Sequence, residues 1–228
     1  MLTVAAIIGG LAVQTAPASP PLAEVLPRAA ALCAKAAETN SWSLEKGTDF
    51  YEPEESRIKL PAGEPSGSRA AKMIAQMNAG MKTLADTPPL IQRVIGHSQS
   101  RMMFKISMAA RFPAASGEVW VIFYNGNACD LYVTGSSEPV APLAASLANT
   151  LGAQGWQTAA AVDAGEKMPL SQRLLLRAAP KPDMPGYGVR AKMQWLSPAA
   201  ADSEGVQLDI SYLAGNVGAA QPDAAQKP

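Results

Sequence analysis

EVWVIFYNGNACDLYVT, residues 118–134, is the stretch on which the fold turns. Its first seven residues are almost wholly apolar and run into Asn125-Gly126, a dipeptide suited to the positive φ angles of a tight hairpin turn. The return segment, Ala128 to Thr134, sets Cys129, Leu131 and Val133 against Asp130, Tyr132 and Thr134, the period of a half-buried strand. The outgoing run Val119-Trp120-Val121-Ile122-Phe123 is apolar on both faces, which predicts a central strand covered on both sides.

Working outward, Met102, Phe104, Ile106 and Met108 alternate with Arg101, Lys105 and Ser107, which predicts a third strand and completes a meander. Downstream, Val189, Ala191, Met193 and Trp195 form one alternating run, and Val206, Leu208, Ile210 and Tyr212 form another. With Leu174 to Ala178 they predict a second antiparallel meander. Shorter strands are expected over Arg57 to Leu60 and Gly155 to Val162.

Three helices are expected. The first spans Arg28 to Ala37, with Pro27 at its first turn and Leu32, Cys33 and Ala36 on one face. The second starts from Ser68 as N-cap and runs to about Ala85. Its stripe of Met73, Ile74, Met77 and Met81 reads as core, since Arg69, Lys72, Gln76 and Lys82 supply a polar side. The third follows Ser137-Glu138-Pro139, carries Val140, Leu143, Leu147 and Leu151 as its stripe, and has Gly152 where a C-cap would sit. The expected fold is therefore α+β, with two three-strand antiparallel meanders, in one sheet or two, covered by about three helices. A single domain over 19–214 is expected, with helix-plus-strands halves near 68–134 and 137–212 and no residue-level repeat. The tail 215–228 has few large apolar residues and is expected to be disordered.

Residues 1–18 hold no charged side chain and run from the apolar Leu2 to Val13 into Ala16-Pro17-Ala18. That pattern resembles a secretory signal peptide cleaved before Ser19, although only the α-amine of Met1 supplies the usual positive N-terminal charge. The run is shorter than the roughly 20 apolar residues of a membrane span, so no transmembrane anchor is expected. An exported chain meets an oxidising compartment, which predicts a Cys33–Cys129 disulfide rather than two buried thiols. Richness in Ala and Pro fits a bacterial, periplasmic or secreted protein.

The 228 residues include 19 Lys and Arg against 19 Asp and Glu, so no net field attracts nucleic acid. A Ser-His-Asp triad has only His97 to draw on, in a polar stretch expected to be a solvent-facing loop, and no G-x-S-x-G turn presents a serine. One His with two distant cysteines makes no zinc set, Glu52, Glu54 and Glu55 lack EF-hand spacing, and no glycine-rich phosphate loop follows a strand. No cofactor or metal is expected. Strand alternation places Arg173, Arg177, Arg190, Lys192 and Asp209 on the outer face of the second meander, a candidate docking surface for an anionic ligand or envelope protein. The expected function is that of a non-enzymatic binding or envelope-associated domain of an exported protein. The alternatives are a small exported enzyme using a carboxylate such as Asp130, and a protein interaction module marked by an uncovered strand edge or a large exposed apolar patch.

Overall fold

The computed structural model of the protein describes residues 19–45, 48–101, 105–163, 170–196 and 205–217. The segment 1–18, most of the tail and Met102 to Phe104 lie outside these residues, so the signal segment and the disorder of the tail are not addressed by it. The elements in chain order are α1 (Leu22–Thr39), β1 (Asp49–Tyr51), α2 (Arg69–Ala79), α3 (Pro89–Arg101), β2 (Ile106–Ala114), β3 (Gly117–Tyr124), β4 (Ala128–Thr134), α4 (Val140–Ala153), β5 (Gln157–Val162), β6 (Leu170–Ala178), β7 (Tyr187–Leu196) and β8 (Val206–Asn216). All eight strands join one antiparallel sheet in the order β1-β2-β3-β4-β8-β7-β6-β5. The two meanders thus share one sheet, fused where β4 pairs with β8.

The hairpin forms, but its connection is Asn125 to Asn127 rather than a two-residue Asn-Gly turn, with positive φ at Gly126 (134°) and not at Asn125, and β3 lies inside the sheet between β2 and β4. Its odd residues Val119, Val121 and Phe123 face one core, and its even residues Trp120, Ile122 and Tyr124 face the other, all fully buried. Burying side chains of this size contributes roughly 1.5–3 kcal/mol each. The larger core lies under α1 and α4. Helix α1 packs across the middle strands through Leu22, Val25, Leu26, Ala29 and Cys33, and α4 lies on β7 and β8 through Val140, Ala144, Leu147 and Leu151. Cys33 and Cys129 form a disulfide, so α1 is fastened covalently to β4. Asn40 ends α1 at φ 50°, and its side-chain oxygen accepts a hydrogen bond from the Gly126 amide at 3.2 Å. The same residue therefore stops the helix and braces the hairpin.

Several expectations shift. Helix α1 begins at Leu22, so Pro27 lies inside it; Leu22, Val25 and Leu26 extend the buried stripe upstream of the proline. Helix α2 ends at Ala79, and a short 3-10 turn at Leu84–Asp86 follows. Arg57 to Leu60 is not a strand, and the short strand of that region is β1. Before β2 comes an unexpected helix, α3, whose Ile91, Val94 and Ile95 cover the second core. The strand expected near 101–108 accordingly starts at Ile106 and runs to Ala114. Pro113 is tolerated there because β1 pairs only with 109–111, which leaves that end of β2 without a paired strand on one side among the described residues. At the end of α4 the cap is Gln154 rather than Gly152, and Gly155 takes the left-handed φ of +87° that turns the chain into β5.

Tyr212 lies fully buried in the larger core, edge-on to Trp156 at 5.9 Å, and its hydroxyl has no hydrogen-bond partner among the described residues. Burial pushes its phenol well above the ordinary tyrosine range. The folded state thus prefers the neutral phenol, whereas an unfolded chain ionises it near pH ~10. Its contribution to stability is complete below that pH and is lost as pH rises further. Ultraviolet titration of the five tyrosines should show Tyr212 among those that ionise only with unfolding. Reversible titration of all five in the folded protein would contradict this burial.

Candidate functional site

Strand register places the side chains of the second sheet face in rows. One row runs Leu174, Lys192, Ser211, Asp130 and Ile122 across β6, β7, β8, β4 and β3. A neighbouring row runs Gln157, Leu176, Arg190, Leu213 and Ala128, and another runs Gln172, Gln194, Asp209, Tyr132 and Trp120. Helix α3 covers this face over the β1–β4 half, where Tyr51, Ile106, Ala109, Trp120, Ile122 and Tyr124 join its core, with Leu213 at the margin. Over β7 no described element covers the face. Arg190 and Lys192 are exposed, and Leu174, Leu176, Asp209 and Ser211 beside them are half-buried. The result is a two-cation strip edged by leucines on β6 and by polar side chains on β8.

The five residues expected on one outer face divide between the two. Arg190, Lys192 and Asp209 share the open face, but Arg173 and Arg177 point to the helix-covered one, together with Leu175, Ala191 and Tyr212. The reason is the run Leu174-Leu175-Leu176, which carries no parity of its own. The buried member is Leu175, so the odd-numbered arginines follow it. Arg177 pairs with Glu38 of α1 at 2.5 Å and lies over Trp156 at 4.9 Å, while Arg173 pairs with Asp163 at 2.5 Å and lies over Trp195 at 5.4 Å. Both arginines hold the covered face together at its margin.

Asp130 is only 2% exposed, and its Oδ2 accepts hydrogen bonds from the Tyr124 hydroxyl at 2.7 Å and the Tyr132 hydroxyl at 3.1 Å. Two phenols on a carboxylate under a helix make a buried polar anchor for β3 and β4. Nearer the β1 edge, Glu118 accepts from the Trp120 indole at 2.9 Å and pairs with Arg111 at 2.7 Å. Arg111 also reaches Asp49, which holds the Lys82 ammonium above the ordinary lysine range. His97 is exposed on α3 rather than on a loop. Among the described residues no three His, Cys, Asp or Glu side chains gather as a metal site, and no helix is long and apolar enough to cross a membrane.

Helix α2 overturns its expected place in the core. None of its residues is buried, and Met73 and Met77 are 58% and 56% exposed. It is held by polar contacts instead: Ser68 caps it, and Asn78 exchanges two hydrogen bonds with the backbone of Ile58. Sequence reasoning missed α3, although Ile91, Val94 and Ile95 carry helical spacing after Pro88-Pro89.

Set against family models, curated proteins and solved structures, the chain matches none of them.

Proposed function

We propose that the chain is an exported, non-enzymatic binding domain of the bacterial envelope, cleaved after Ala18, whose open sheet surface around Arg190 and Lys192 docks an anionic partner. The observation that carries this reading is uneven cover. One sheet face lies under α1 and α4, whereas the other lies under α3 only as far as β8 and leaves two exposed cations beside the leucines of β6, with Leu213 and Ser211 on their other side. Exposed antiparallel faces are normally polar, but Leu174, Leu176 and Leu213 give this one apolar surface to bury beside a charge-guided contact. The bridge between Cys33 and Cys129 supports an oxidising compartment. Sealing of Asp130 by two tyrosines favours an architectural carboxylate over a catalytic one.

The test is retention of the purified protein on an anionic polymer, polyglutamate, as salt is raised. Screening lengths shrink from about 30 Å at 0.01 M salt to about 8 Å at 0.15 M, so binding at low salt should fade over that range. Arg190→Glu with Lys192→Glu should weaken it at least tenfold, while Arg173→Gln, on the other face, should leave it unchanged. Absence of binding at low salt, or indifference to the double reversal, would overturn the reading.

A further inference from the structure

The two edges of the sheet are built differently. At one edge β1 is three residues long, and the residue that follows it, Glu52, is held by a strap. Glu52 donates its amide to the Lys82 carbonyl at 2.9 Å, and Leu84 donates to the Glu52 carbonyl at 2.8 Å. Charge guards it as well, through Asp49 with Lys82 and Arg111. At the other edge β5 is six residues long, and every one of them, Gln157 to Val162, is exposed. It contains no charged residue and no proline, and among the described residues nothing pairs with its outer side. Short length, edge charges, proline and a covering segment are the devices by which monomeric sheets avoid pairing. Of the usual devices β5 keeps only a bulge between Thr158 and Ala160.

We infer that β5 pairs antiparallel with β5 of a second copy of this chain, joining two eight-stranded sheets about a twofold axis normal to them. In such an isologous contact residue i meets j and j meets i, so a charge near the middle of the strand would face its own copy across the twofold. Thr158-Ala159-Ala160-Ala161 carries none, and its small side chains leave neighbouring backbones free to approach on both faces. The charges that flank the strand are complementary under this operation. Asp163 follows its last residue with a side chain 76% exposed, and Arg177 lies over Trp156 just before its first. Asp163, Arg173 and Arg177 share the covered face, and a twofold normal to the sheet preserves that face. Antiparallel pairing therefore carries the Asp163–Arg173 pair of one copy toward the Arg177–Glu38 pair of the other, where the two can join in a four-charge cluster, and lays the open faces of both copies side by side.

Sedimentation equilibrium of the purified protein over a wide concentration range tests this. The expected result is a reversible monomer–dimer equilibrium. Ala160→Lys, near the twofold, should weaken it at least tenfold while leaving the circular dichroism and thermal midpoint of the monomer intact. Ala160→Glu should do the same, and an equimolar mixture of the two variants should regain a mixed dimer, which a merely misfolded variant would not. A protein monomeric throughout the range would overturn the inference and leave β5 to an extended peptide from a different protein. A dimer unaffected by both substitutions would overturn it equally, by placing the contact elsewhere.

Discussion

Replacing Cys33 and Cys129 together with alanine should lower the stability of the protein by roughly 2–5 kcal/mol without changing its fold. The two cysteines are 96 residues apart, and a loop of about 100 residues corresponds to about 4.7 kcal/mol in the chain-entropy view of a cross-link. The bridge restrains the unfolded chain over nearly half of its length. In the folded state, by contrast, α1 is already held by Leu22, Val25, Leu26, Ala29 and Ala36 against the sheet. Helix and sheet should therefore dock in the same place without it. Urea unfolding of the double variant beside the oxidised protein checks this: the midpoint should fall markedly while near-ultraviolet dichroism in water is retained. A loss below about 1 kcal/mol would mean that the unfolded chain keeps α1 near β4 without the bond.

Trp120→Ala should cost about 3–5 kcal/mol, the range for truncating a large buried aromatic. Trp120 is fully buried on the α3 side of β3, its ring 5.3 Å from that of Tyr51 on the edge strand β1. The indole N–H also meets Glu118, which is shared with Arg111. Removal leaves a cavity between α3 and the sheet, loosens β1, and strips one donor from a half-buried carboxylate. Trp120→Phe retains most of the apolar volume and should cost markedly less. Native protein stability is typically about 5–15 kcal/mol, so the alanine variant should lie near the limit of folding. Denaturant midpoints for the two variants measure the difference; equal, small losses would contradict the place of Trp120 as a shared buried element of sheet, α3 and β1.

Residues whose sequence admits only one periodicity were legible before the structure. Val119 to Phe123 suits a strand buried on both sides and Asn125-Gly126 marks the hairpin; the alternation of Cys129 to Val133 gave strand β4 but not its burial, since Asp130, Tyr132 and Thr134 are buried too, under α3 and the neighbouring strands rather than facing solvent. Arg101 to Met108 also alternates, yet β2 starts only at Ile106, because the helical spacing of Ile91, Val94 and Ile95 upstream commits the chain through Arg101 to α3. Local pattern gave no warning of that tertiary choice. Ala109, Ala110 and Ala114 have little strand preference, and they are strand because β3 and, in part, β1 pair with them.

The candidate site was half legible. Arg190 and Lys192 flank Ala191 in an alternating run and were placed correctly opposite the core, with Asp209 beside them. Arg173 and Arg177 were not, since three consecutive leucines leave the strand's parity to be set by packing on α1 and α4. The Met stripe of α2 misled for a related reason. Amphipathic spacing shows that a helix has an apolar side, but not that a partner lies within the same chain. The openness of β5 was invisible as well, because strand order in a sheet is a property of topology and not of the strand.

The proposed function rests first on export, and intact mass of the protein recovered from fractionated bacterial cells, with and without reductant and alkylation, tests that most directly. The expected species is periplasmic, begins at Ser19, and is lighter by two hydrogens than its reduced form, with both cysteines blocked to alkylation until reduced. A full-length cytoplasmic chain with two free thiols would contradict the reading and remove the envelope as the place to look for its partner.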